Sequence, residues 1–71
     1  MAISPKAARV NVGLTQSEAA KALGISKSTI ANYEKYITSP NMEMAEKIAA
    51  LYGMSVNDII FVPKNCALST M

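Results

Sequence analysis

Leu14-Thr15-Gln16-Ser17-Glu18-Ala19-Ala20-Lys21-Ala22-Leu23-Gly24-Ile25-Ser26-Lys27-Ser28-Thr29-Ile30-Ala31-Asn32-Tyr33-Glu34 is the stretch on which the fold turns. Thr15-Gln16-Ser17-Glu18 has the form of a capping box, in which the Thr15 hydroxyl and the Glu18 carboxylate each accept from the other residue's backbone amide. The helix it opens is only about two turns long, because Gly24 follows Leu23 and glycine readily takes the left-handed conformation that ends a helix. Ser26 caps the next helix, and Ile25 before the cap is placed to pack on Ile30 inside it. Two short amphipathic helices are thus separated by Gly24-Ile25-Ser26.

A short glycine-containing turn between two such helices is the sequence form of a helix-turn-helix. Outward from it, Ser4 and Pro5 supply a cap and a first-turn proline for a helix running to about Val12, with Gly13 ending it. Downstream, Asn41 caps a fourth helix on which Met42, Ala45, Ile48, Ala49 and Tyr52 share a face, and Gly53 closes it. Ser55-Val56-Asn57-Asp58 reads as a second capping box, with Met54 and Ile59 as the flanking apolar pair, opening a fifth helix to about Phe61. The expectation is all-α: a compact five-helix bundle over residues 1–62, followed after Pro63 by a tail, residues 63–71, that is flexible or extends an interface.

Composition agrees and excludes several chemistries. The chain has 71 residues, 51% of them hydrophobic, and only three glycines and three prolines, which suits one small helical domain. A core of this size rarely supplies more than about 3–5 kcal/mol, so self-association would help. With no histidine there is neither an imidazole base nor an imidazole metal ligand, and the single Cys66 cannot form an internal disulfide. No cofactor or metal is expected. The five carboxylates are scattered, and no nucleophile has a base beside it, which argues against an enzyme. The cysteine usage suits a reducing cytosol, and no stretch reads as a signal peptide or membrane span, so a cytoplasmic protein is expected. Residues 1–40 carry Lys6, Arg9, Lys21, Lys27 and Lys35 against Glu18 and Glu34, a balance of +3; residues 41–71 carry −1. A basic front half suits a polyanion, although many solvated surfaces are as basic.

At 100° per residue, Ile30, Tyr33 and Glu34 fall on one side of the helix opening at Lys27, and Ser28, Ala31, Asn32 and Lys35 on the other. The second side has no acid. It offers an amide, a hydroxyl, a lysine and a small residue that permits close approach. Asparagine can pair bidentately with adenine, serine serves several bases, and lysine donates to guanine or phosphate. The same residues also suit a helix face that merely meets water.

These residues resemble the Cro and C1-type repressor helix-turn-helix family. The likeness spans about residues 5–61 and is densest over 14–34, with Gln16 opening the second helix, Ala20 at the helix approach, Gly24 in the turn and Glu34 ending the recognition segment. It implies a five-helix bundle that binds double-stranded DNA and regulates transcription, as in small phage or prophage repressors. By that resemblance Gln16, Lys27, Ser28 and Asn32 occupy DNA-meeting positions, with Asn32 the candidate for base readout. Gln16 would hold a phosphate together with the free amides of its helix. The Thr29 hydroxyl either reaches a phosphate or bonds back to Ser26. Lys35, Tyr36, Thr38 and Asn41 lie where related domains approach the sugar-phosphate backbone, with Tyr36 alternatively packing on the bundle and Asn41 also serving as a cap. Arg9 and Glu34 match an ion pair that ties the first helix to the recognition helix. One departure stands out: the family usually carries a glycine just after the recognition helix, and here that residue is Tyr36.

One module makes few contacts, so two recognition helices about 34 Å apart on a two-fold axis are expected, reading a palindromic operator. Val56, Ile59, Ile60, Phe61 and Val62 are the candidate homodimer surface, since they exceed what a short last helix buries. A chain ending soon after the bundle leaves no room for a sensor domain, unless it is the DNA-binding part of a longer protein. The competing function is a protein-interaction module on the same scaffold, of antitoxin or anti-repressor type, with a protein partner. Large apolar anchors on the outer side of helix 27–35 would favour it, and Ser28, Ala31, Asn32 and Lys35 supply none.

Overall fold

Caps decide where each element begins. A computed structural model describes residues 2–61. Val62, Cys66 and the tail 63–71 lie outside the described residues. Helix α1, Pro5–Asn11, starts at Ser4, whose Oγ accepts from the Ala7 amide at 3.1 Å. Helix α2, Gln16–Leu23, starts at the expected capping box, with both bonds formed: Glu18 N to Thr15 Oγ1 at 3.1 Å and Thr15 N to Glu18 Oε1 at 2.9 Å. Helix α3, Lys27–Glu34, is capped by Ser26, and α4, Met42–Leu51, by Asn41 Oδ1 accepting from Met44 N at 2.8 Å. All four helices end with a left-handed residue, and at three of these ends it is glycine: Gly13, Gly24 and Gly53.

The expected fifth α-helix is not formed. Val56–Asp58 is a single turn of 3-10 helix, and Ile59 is already extended at φ −119° and ψ 131°. The Ser55 hydroxyl accepts from Asn57 N rather than from Asp58 N, so the box does not close as an α-helical cap. The reason lies at the other end of the chain. Ile3 pairs with Ile59 in a parallel bridge, its amide donating to Asp58 O at 2.9 Å and its carbonyl accepting from Ile60 N at 2.8 Å. β-Branched residues such as Ile59 and Ile60 suit that extended backbone better than a helix. The architecture among the described residues is therefore all-α, four helices closed by a clasp between the two ends of the described chain.

The core is built from small residues and few large ones: Ala8, Ala19, Ala20, Ile30, Ile48, Ala49, Tyr52 and Ile59. Alanines at 8, 19 and 20 let helix backbones approach closely, and Ala8 and Ala19 are fully buried. Packing is heaviest between α2 and α3, which fixes the angle at which α3 leaves the domain. Ile25 and Met54, read as staple residues, both pack against this core. No helix among the described residues is long and apolar enough to cross a membrane.

Candidate nucleic-acid interface

Among the described residues, helix α3 is held by one side. Ile30 is 2% exposed, the Glu34 side chain 5%, and Tyr33 packs half-buried on the core. On the other side Lys27, Ser28 and Lys35 are exposed, and Ala31 and Asn32 are half-buried. The angular division read from the sequence is the one observed. No buried side-chain nitrogen or oxygen among the described residues lacks a hydrogen-bond partner. The Asn32 carboxamide has no hydrogen-bond partner among the described residues and so reaches the surface they form.

The inner side is anchored by a charge network. Arg9 Nε donates to Glu34 Oε2 at 2.6 Å and Nη2 to Oε1 at 3.3 Å, while Nη1 donates to the Leu14 carbonyl at 2.7 Å. This is the ion pair the resemblance implied, and it binds α1 to the end of α3. The hydrogen bond to Glu34 raises the Arg9 pKa above its ordinary value, with burial opposing. Gln16 Nε2 also donates to Glu34 Oε1, at 2.9 Å. That bond was not legible in the sequence, since nothing local relates positions 16 and 34. It sets which end of the Gln16 amide points inward, because a carboxylate can only accept.

The candidate DNA-facing residues fall into groups. Gln16 and Lys27 line one open hollow of about 360 Å³ at the start of α2, together with Thr15 and Ser17. A helix N-terminus beside a lysine suits a phosphate. Thr29 Oγ1 lies 2.8 Å from Ser26 Oγ, which is the local alternative for that hydroxyl. Lys35 and Thr38 are exposed in and beside the loop after α3. Asn41 lies apart from Gln16 and Lys27, in a second hollow with Tyr33, Glu43 and Lys47, and its Oδ1 is committed to the α4 cap. Its amide nitrogen is left to donate.

Of the candidate dimer residues among those described, Ile59 is the one turned inward. Ile59 is 5% exposed and belongs to the protomer's own core, because the bridge to Ile3 turns it inward. Val56 and Phe61 are half-buried against that core, and Ile60 is half-buried in the clasp. Among the described residues, the large apolar side chains left exposed are Val10, Val12, Ile37 and Met42.

Tyr52 gives this network a pH dependence. Its phenol is pushed above its ordinary value first by burial and then by the Glu34 carboxylate, with Arg9 opposing. The fold therefore prefers the neutral phenol. Its contribution is fully present below the unfolded value of about 10 and is lost as pH rises through the higher folded value. Urea midpoints should hold level to about pH 9.5 and fall beyond about pH 10. Tyr52→Phe should flatten part of that fall, and an alkaline limb superimposable on the parent's would contradict the assignment.

The fold and the one-sided α3 define an all-α helix-turn-helix module. Residues 6–59 match the helix-turn-helix family model, and the chain belongs to that family. It is 38% identical over 52 residues to the cryptic phage CTXphi transcriptional repressor RstR of Vibrio cholerae, covering 73% of this chain and 47% of the relative. An HTH-type transcriptional regulator of Methanocaldococcus jannaschii is 44% identical over 46 residues, 65% of this chain and 70% of the relative. The regulator ImmR of Bacillus subtilis is 34% identical over 55 residues, 78% of this chain and 43% of the relative. The chain thus spans about half the length of the phage repressor it matches. No solved structure matches it.

Proposed function

We propose that the chain is a sequence-specific DNA-binding transcriptional regulator, a repressor of the phage type, that places α3 in the major groove. One observation carries this: α3 is fixed by its inner side while an acid-free side bearing Lys27, Ser28, Asn32 and Lys35 is left accessible. The names of its relatives support the reading, the Vibrio protein being a phage transcriptional repressor. In this reading Asn32 and Ser28 address base edges, Lys27, Lys35, Thr38 and Asn41 address phosphates, and Gln16 can do so only through the Nε2 hydrogen not given to Glu34. Thr29 serves the cap of α3. The protein works in the cytoplasm, without cofactor, as a homodimer on a palindromic operator. Its interface would draw on Val56, Ile60 and Phe61, continued by Val62, with Ile59 reserved for the core.

Selection of bound duplexes from a random pool tests both parts. Enriched sites should contain inverted half-sites about 10 base pairs apart from centre to centre. A pool that shows no enrichment would overturn DNA reading, and enrichment of single, unpaired half-sites would overturn the dimer.

A further inference from the structure

Tyr36, just past the Lys35 cap of α3, is the non-glycine exception among the left-handed residues at the helix ends. Tyr36 has φ +61°, a left-handed conformation that residues with a Cβ rarely adopt. Its amide donates to Tyr33 O at 3.2 Å and the Ile37 amide to Asn32 O at 2.9 Å, the pair of bonds that closes a helix in the same way glycine does elsewhere in this chain. Glycine would take this backbone freely, so something else favours tyrosine. The phenol O–H donates to the Ile60 carbonyl at 2.9 Å, and the Ile60 amide is itself held by Ile3 O at 2.8 Å. The ring is thus a strut from the end of α3 to the clasp joining Ile3 to Ile59 and Ile60. From its upper end hang Lys35, Ile37 and Thr38, all exposed.

We propose that Tyr36 is a positioning residue: its phenol fixes the end of α3 and the following loop in the one geometry that DNA binding uses. The proposal rests on the DNA-binding reading above. The left-handed backbone lies between Asn32 and Lys35 on one side and Thr38 on the other, so whatever holds Tyr36 also sets how these candidate DNA-facing residues stand to one another. The strut sits where a small rotation would move the phosphate-facing lysine relative to the base-facing amide.

The test uses the full chain carrying Tyr36→Phe, which keeps the ring and deletes the hydroxyl, and Tyr36→Gly, which relieves the backbone and deletes the strut. Without DNA, amide exchange at Ile37 and Thr38 should quicken about ten-fold in Tyr36→Phe, while Ala20 and Ile48 are unchanged. At a temperature where circular dichroism shows the variants folded, affinity should fall about 3- to 10-fold on selected and unrelated duplexes alike, with a shallower salt dependence. Tyr36→Gly should bind at least as weakly as Tyr36→Phe even where it folds more stably, and it carries the test if Tyr36→Phe does not fold. Unchanged exchange would overturn the proposal, as would quickened exchange with parental affinity and salt slope, or parental affinity in Tyr36→Gly. If the parent bound no duplex, the DNA-binding reading would fall with its positioning role, and the exchange measurement would separately report whether the strut holds the loop.

Discussion

Glu34→Ala is expected to be the most destabilising single change in the chain, taking a large share of its stability at 25 °C. The Glu34 carboxylate accepts from Arg9 Nε, Arg9 Nη2 and Gln16 Nε2 with its side chain only 5% exposed, and Arg9 is nearly as enclosed at 9%. Deleting it strands a guanidinium whose remaining partner within the fold is the Leu14 carbonyl. Breaking a buried pair from one side costs about 3–5 kcal/mol. A domain of this length has a total stability of roughly 4–10 kcal/mol, at about 0.05–0.15 kcal/mol per residue, so the loss takes a large share of the whole and the urea midpoint should fall steeply. Far-UV circular dichroism against urea is the measurement. The double variant Arg9→Leu with Glu34→Leu should be distinctly more stable than Glu34→Ala, because an apolar pair leaves no orphaned charge. A Glu34→Ala midpoint close to the parent's would show that water reaches the pair. Loss of DNA binding in Glu34→Ala would follow from unfolding and would say nothing about contacts at Glu34 itself.

The same network shows where the sequence is transparent and where it is opaque. Each helix start was legible, because a cap is a bond between a side chain and an amide two or three residues away: Ser4, Thr15, Ser26 and Asn41 all accept as their spacing suggests. The inner and outer sides of α3 were legible for a similar reason, as helical period alone separates Ile30 and Glu34 from Ser28 and Asn32. The fifth helix failed because its fate depends on Ile3, more than fifty residues away, which offers a strand partner that no local pattern at Ser55–Asp58 reveals. Once Ile59 is paired it turns into the core, and its place in a dimer surface goes with it. Gln16 meeting Glu34 and Tyr36 meeting the Ile60 carbonyl are likewise long-range bonds. Only Tyr36 left a local trace, a bulky residue at a helix end where this chain otherwise uses glycine.

Asn32→Ala separates base reading from docking, and its effect should depend on sequence. The Asn32 carboxamide lies in the middle of the acid-free side and has no partner among the described residues, so it is available for a bidentate pair with adenine. Alanine removes that pair without disturbing what holds α3, since Ile30 and Glu34 lie on the opposite side and alanine is the better helix former. Thermal stability should therefore hold or rise slightly. Affinity for the selected operator should fall by about 1–3 kcal/mol, or roughly 5- to 150-fold, while affinity for unrelated duplexes stays nearly constant. Lys35→Ala is the contrasting case. As a phosphate contact, the exposed Lys35 at the end of α3 would contribute counterion release rather than readout, so its loss should weaken every sequence alike and lower the salt slope by about one. The two variants together give a two-way test: the operator-to-unrelated affinity ratio should collapse in Asn32→Ala and survive in Lys35→Ala. Repeating the random-pool selection with Asn32→Ala should relax the preference at one base pair of each half-site and leave the others intact. A uniform loss across all sequences in Asn32→Ala would move Asn32 from the base edges to the backbone and leave Ser28 as the remaining candidate for direct readout.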